Sequence, residues 1–127
     1  MITLPSIGKA LNDVTRVRIL RALLSSELCV CELVDALEIT QSSLSTHLQT
    51  LRSTGIVVTE KRQSWIIYSI APVARPLLES AFAAFPPEGG RFETDRQRLE
   101  GRIRLRIDGC CVQGIGALAE KEEAVVA

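Results

Sequence analysis

The sequence predicts a mainly α chain carrying one small β-hairpin, an α+β fold. Three observations predict it. Apolar residues recur at helical spacing through several segments, each preceded by a capping residue. Two β-branched and aromatic runs, 56–59 and 65–70, stand five residues apart. Just ahead of them come a short helix, a tight turn and a second helix whose outer face is polar. A helix-turn-helix followed by a hairpin is a winged helix-turn-helix.

The bulk properties set limits. A chain of 127 residues suits one compact domain. Hydrophobic content of 46% excludes wholesale disorder, and only 4% aromatic residues leaves an aliphatic core. A formal net charge of +0 argues against nonspecific coating of nucleic acid, but phosphate responds to local charge and not to the sum. No apolar run approaches the roughly 20 residues that span a bilayer, and the first residues lack the pattern of a signal peptide. The expectation is a cytoplasmic protein with no membrane association, whose cysteines stay reduced. Its four cysteines fall in two tight pairs, Cys29/Cys31 and Cys110/Cys111. That is the pattern of ligand or redox positions more than of a disulfide framework.

Residues 5–11 read as a short helix with Pro5 in its first turn and Ile7, Ala10 and Leu11 on one face. Asp13 caps the next helix, whose stripe is Val14, Val17, Leu20, Leu23 and Leu24, widened by Ile19. Arg16, Arg18 and Arg21 fall on its other faces, and Ser25-Ser26 end it. A third helix over about 28–37 buries Leu28, Leu33, Val34 and Leu37, with Glu27, Glu32 and Asp35 near its positive end. Thr40 caps a fourth helix that buries Leu44, Leu48 and Leu51 and stops at Gly55. The two strands follow, joined by Glu60, Lys61, Arg62, Gln63 and Ser64 as a basic tip. A further apolar helix lies within 72–85, with Pro76 marking its start, and is a dimer-interface candidate. Residues 86–90 break it. This divides the chain into a winged helix-turn-helix DNA-binding and dimerisation domain, 1–88, and a charged, partly flexible extension, 89–127. Within the extension, 91–107 reads as a marginal helix with Leu99, Ile103 and Ile107 in a thin apolar line, or as an extended segment over 102–107.

The exposed face of the fourth helix carries Gln41, Ser42, Ser43, Ser45, Thr46, His47, Gln49 and Arg52. A merely solvated helix prefers Glu, Lys and Arg, and this face has none before Arg52. Serine and threonine reach phosphates or base edges, glutamine pairs with adenine, and arginine holds phosphate. The candidate contacts to double-stranded DNA are therefore Gln41, Ser42, Ser43, Ser45, Thr46, His47 and Arg52, with Lys61 and Arg62 at the wing. His47 alone reads equally well as a histidine that packs the turn.

The pair Cys29/Cys31 can chelate a soft ion. The plainer reading is two small buried hydrophobes. On a regular helix, residues two apart point about 200° apart. Either the helix starts after Cys29, or ion binding unwinds its first turn and moves the neighbouring recognition helix. Cys110-Cys111 follows a turn and is a second thiol site, a source of a third thiolate for the first, or a chance placement in a flexible tail.

Residues 7 to 70 resemble the ArsR/SmtB family of metal-responsive winged-helix repressors. The resemblance rests on Asp13-Val14-Thr15-Arg16-Val17-Arg18-Ile19-Leu20, on Glu27-Leu28-Cys29-Val30-Cys31-Glu32-Leu33, and on Gln41-Ser42-Ser43-Leu44-Ser45-Thr46-His47-Leu48 with Leu51-Arg52 and Gly55-Ile56-Val57 behind it. It implies a homodimer built through the first and the post-wing helices, bound to a palindromic operator. It further implies repression of an arsenic-resistance operon, with release on binding trivalent arsenic (arsenite) or antimony, and no organic cofactor. Two departures stand out. Arsenic sensors of this family often place a third cysteine where this chain has Val34, so the missing sulfur falls to Cys110 or Cys111, in the same chain or the partner. At the wing turn, where the family usually has glycine, this chain has Gln63-Ser64.

The expected function is a DNA-binding repressor, not an enzyme, with metalloid ligands Cys29, Cys31, Cys110 and Cys111. The alternatives are a thiol-redox or other soft-metal (cadmium, lead) sensor on the same scaffold, a small thiol enzyme such as an arsenate reductase, and a plain dimeric interaction module.

Overall fold

The structure, a computed structural model, describes residues 1–107 and 114–119. Its elements are α1 (Leu4–Leu11), α2 (Val14–Ser25), β1 (Leu28–Cys29), α3 (Val30–Leu37), α4 (Gln41–Thr54), β2 (Val57–Arg62), β3 (Trp65–Ile70), α5 (Arg75–Ala84) and α6 (Gly90–Ile103). This is the mainly α, winged helix-turn-helix fold read from the pattern.

Local chemistry sets most boundaries. Thr3 and Ser6 exchange backbone-to-hydroxyl bonds at 2.8 and 3.2 Å, closing a capping box over α1. Asp13 accepts from the Arg16 amide at 3.1 Å and Thr40 from the Ser43 amide at 3.2 Å, starting α2 and α4 as expected. That amide bond, with the nearby His47 and Arg16, holds the Asp13 carboxyl below its ordinary value. Pro76 sits in the first turn of α5.

Gly55 ends α4 in the left-handed region, at φ 85°. A Cβ there would also lie 3.1 Å from Ile2 Cγ1. Gly55→Ala is expected to destabilise the fold by about 1–2 kcal/mol, mostly through backbone strain, and to lower the urea midpoint accordingly.

The core is aliphatic. Ile19, Leu20, Leu23, Leu33, Leu37, Leu44, Leu51 and Ile56 are fully buried where the helices meet the sheet. Each contributes about 1.5–3 kcal/mol of apolar burial. Two assignments on α2 change: Val14 is exposed, and Arg18, expected on an outer face, is 8% exposed. The reason lies in α6, whose Asp95 accepts two bonds from Arg18 at 2.7 and 2.9 Å.

The sheet has the antiparallel order β1-β3-β2. β1 falls where the sequence reading placed the start of a helix. It pairs Leu28 with Tyr68 and Cys29 with Ile67. β2 is longer than expected. It runs in register from Val57 opposite Ile70 to Arg62 opposite Trp65. The wing tip is therefore the two-residue turn Gln63-Ser64, with Gln63 at φ 56°.

Residues 90–103 form a helix packed along α3. Arg91, Asp95, Arg98 and Arg102 recur at steps of three or four, so they share one face of the helix. The arginines of that face bind α3. Arg102 Nε donates to Asp35 Oδ2 at 2.8 Å with both side chains buried, and Arg98 donates to the Asp35 carbonyl at 3.0 Å. Arg91 bonds the Leu37 carbonyl at the end of α3. The chain then returns to α3, where the Gly116 amide donates to Asp35 Oδ1 at 2.8 Å.

Candidate metalloid centre and nucleic-acid interface

Pairing with β3 holds Cys29 extended, at φ −90° and ψ 170°, and α3 begins at the next residue. Cys29 is thus the N-cap and Cys31 lies in the first turn. The opposed directions of an unbroken helix do not apply. The two Sγ atoms are 2.8 Å apart, both buried, with Trp65 and Ile67 packed over them. Of the two arrangements open from the sequence, the one present is the helix that starts after Cys29, and the pair converges without unwinding. Among the described residues, no group of three His, Cys, Asp or Glu side chains is placed to hold a metal ion. Cys110 and Cys111 lie outside the described residues.

The pair rests on a carboxylate that the sequence reading treated only as a dipole partner. Glu32 is fully buried, and its Oε1 accepts from the Cys29 amide at 3.1 Å. Arg106 Nε and Nη2 donate to the two oxygens of Glu32 at 2.6 and 2.9 Å, and Nη2 also to the Glu27 carbonyl at 2.7 Å. Burial pushes the Glu32 carboxyl up, but the Arg106 guanidinium and the Cys29 amide outweigh it and hold the group below its ordinary value. A depressed carboxyl contributes stability that is present above its unfolded value and lost as pH falls through the folded one. Urea midpoints should therefore drop below about pH 4.5, and less steeply in Glu32→Gln. An equal slope in the variant would remove Glu32 from this role. The Cys29-x-x-Glu32 spacing is that of a capping box and was a signal for it. Nothing in the sequence pointed to Arg106.

Beside the thiols opens a cleft of about 340 Å³. Gln41, the first residue of α4, stands on its wall, as does Gly114. The thiol site and the recognition helix thus share a surface.

On α4, Leu44, Leu48, Leu51 and Thr54 are buried, and Gln41, Ser42, Ser43, Ser45, Thr46, Gln49 and Arg52 are exposed. Thr40 Oγ1 lies 3.4 Å from Ser42 Oγ, and Thr46 Oγ1 donates to the Ser42 carbonyl at 3.1 Å. His47 is half-buried, with Nδ1 3.4 Å from Arg16 Nη1, so it packs toward α2. On the wing, Lys61 and Arg62 are both exposed. The Arg62 guanidinium is engaged by both Glu27 oxygens and, at 2.8 Å, by Glu60, ties that phosphate would have to replace.

The sequence profile of bacterial regulatory proteins of the arsR family matches residues 13–59, which hold α2, the thiol pair and α4. HlyU from Vibrio cholerae superposes with a TM-score of 0.59 at 34% identity, over 64% of this chain and 89% of that one. The chain belongs to the arsR family. An arsenic resistance transcriptional regulator of Pseudomonas putida is 42% identical over 73 residues, 57% of this chain. This chain covers 64% of that regulator's length, a little under two thirds. The cadmium metal-sensor CMTR from Mycobacterium tuberculosis superposes with a TM-score of 0.55 at 34% identity, over 67% of this chain and 84% of that one. The arsR family is one of transcriptional regulators, so the arsenate-reducing enzyme weighed from the cysteine pairs is set aside. No helix among the described residues is long and apolar enough to cross a membrane.

Proposed function

We propose that the chain is a cytoplasmic, dimeric repressor of arsenical resistance that leaves its palindromic operator when trivalent arsenic or antimony binds its thiols. The observation that carries this reading is the buried pair of sulfurs 2.8 Å apart at the start of α3, on a cleft whose wall includes the first residue of α4. Cys29 and Cys31 supply two thiolates, and Cys110 or Cys111 supplies the third. Arg106 and Gly114, which precede and follow that second pair in the chain, both reach the α3 end of the site, through Glu32 and the cleft wall.

The DNA face is Gln41, Ser42, Ser43, Ser45, Thr46, Arg52 and Lys61, with His47 and Arg62 joining once they trade their present partners for phosphate. Dimerisation uses α1 and α5, which leave Leu4, Leu77 and, just beyond α5, Phe85 exposed. The name of the Pseudomonas putida relative supports arsenic as the inducer. Cadmium is the second reading, because the Mycobacterium tuberculosis neighbour is a cadmium sensor and thiolates are soft ligands for both.

The test is an electrophoretic mobility shift on a duplex selected from a random pool, with arsenite, antimonite, cadmium and hydrogen peroxide added separately. Release by arsenite and antimonite at concentrations where cadmium and peroxide leave the complex intact is expected. Tight DNA binding that arsenite does not disturb would overturn the sensing assignment, and release by cadmium at lower concentration would replace it.

A further inference from the structure

We propose that Glu27 limits how tightly the wing binds DNA: its carboxylate competes with a backbone phosphate for the guanidinium of Arg62. This rests on the reading of the wing as a DNA contact and adds to it a residue that acts through Arg62 and against binding.

The sheet sets the contact. Its order, β1-β3-β2, places Arg62 at the end of one edge strand and Glu27 immediately before the other. Side chains directly opposite on an antiparallel pair share a face, as do those two apart on a strand. Arg62 lies opposite Trp65, and Glu60 opposite Ile67, which in turn lies opposite Cys29. These side chains therefore occupy the face of the sheet that covers the thiols. Across that face Arg62 Nη1 donates to one Glu27 oxygen and Nη2 to the other at 3.1 Å, a forked pair, and Nη2 also reaches Glu60 at 2.8 Å.

The two carboxylates differ in what they hold. Glu60 stands two residues from Arg62 on the same strand and travels with the wing. Glu27 ties the wing to the body of the domain. Its carbonyl accepts from Arg106 Nη2 at 2.7 Å, and Arg106 is itself paired with the buried Glu32, so the Glu27 carboxylate projects from an anchored backbone. The edge of a guanidinium binds a carboxylate or a phosphate in the same forked way, and one edge cannot serve both at once. A phosphate must therefore displace Glu27. Glu27 and Glu60 also offset the charges of Lys61 and Arg62, so the attraction expected of a basic tip is cancelled locally until the pair opens.

The experiment measures binding of the full chain to a labelled duplex selected from a random pool, by fluorescence anisotropy over a series of salt concentrations. Glu27→Gln keeps the size of an exposed side chain and removes its charge. It should bind DNA about three- to fivefold more tightly than the wild type, the range that loss of an exposed ion pair allows. A gain of this kind cannot come from misfolding. Arg62→Ala should cost more affinity in the Glu27→Gln chain than in the wild type. In that background it should also lower the slope of log affinity against log salt by about 0.9, the loss of one phosphate contact. Unchanged or weaker binding by Glu27→Gln overturns the proposal and leaves the DNA reading in place. So does a gain of equal size when Arg62 is already alanine, which would make Glu27 a repelling charge and not a competitor for Arg62. Failure of the wild type and of both variants to bind any duplex at low salt overturns the DNA reading itself, and the proposal with it.

Discussion

Cys29→Ser is expected to keep the fold and the DNA affinity while abolishing release by arsenite. Cys29 is the N-cap of α3, and serine is among the preferred residues at that position. The hydroxyl, buried in place of the thiol, finds the amide of the first turn as its partner, so burial costs little. Stability should stay within about 1 kcal/mol of the wild type. The sensing loss is large because a chelate depends on both sulfurs. With one left, the second bond is no longer made at high effective concentration, and arsenite should be needed at roughly 100-fold or greater excess. The substituted atom is buried under Trp65 and Ile67, and a change of sulfur to oxygen there leaves the exposed side chains of α4 in place. Affinity for DNA, followed by fluorescence anisotropy of a labelled duplex, should therefore change by less than about twofold. Release of the variant at wild-type arsenite concentrations would contradict the assignment of Cys29.

Asp35→Ala is expected to bring the largest loss of stability. Arg102 is fully buried against Asp35, and the same carboxylate receives the Gly116 amide at 2.8 Å. Removing the anion takes from a buried guanidinium the carboxylate its Nε bonds, and breaking such a pair typically costs about 3–5 kcal/mol. A domain of this size holds about 5–15 kcal/mol in all, so urea denaturation should show a substantially lowered midpoint. The double substitution Asp35→Leu/Arg102→Met removes both charges and should recover most of the loss, because an apolar pair of similar volume avoids the desolvation penalty. A loss below about 1 kcal/mol in the single variant would mean that α6 is not clasped to α3 as described.

That clasp is also where the sequence was hardest to read. The first four helices, the hairpin and the caps Asp13, Thr40 and Gly55 were legible because they follow local rules: helical periodicity, side-chain oxygens ahead of apolar runs, and a left-handed glycine. In residues 91–107 the same rules pointed elsewhere. A run that alternates Arg with Glu and Asp has the signature of a solvated surface, and Leu99 and Ile103 make too thin a stripe to predict burial. What buries Arg102 is not its own polarity but a carboxylate 67 residues earlier. Such a pairing is set by tertiary position alone. Arg18 and Asp95 repeat the case across 77 residues.

The thiol site was half legible. The spacing of Cys29 and Cys31 marked them as candidate ligands and posed the geometric conflict correctly. The resolution required β1, a two-residue strand that exists only because Leu28 and Cys29 pair with β3. A strand that short carries no periodicity. Trp65 was recognised as a strand residue, but its place over the sulfurs follows from the same pairing. On α4 the exposed polar face was read directly, since burial of Leu44, Leu48 and Leu51 fixes which side remains outside. His47 was ambiguous between phosphate and the turn, and its contact with Arg16 lies on the packing side.

The most direct test of the central claim is X-ray absorption at the arsenic edge on the arsenite-loaded chain, counting sulfur neighbours. The proposed site predicts three sulfurs in the wild type, two after Cys110→Ser/Cys111→Ser, and at most two, both from the remaining pair, after Cys29→Ser/Cys31→Ser with DNA release lost. An unchanged three-sulfur shell and intact release in the Cys29→Ser/Cys31→Ser chain would contradict the claim that this pair senses arsenic.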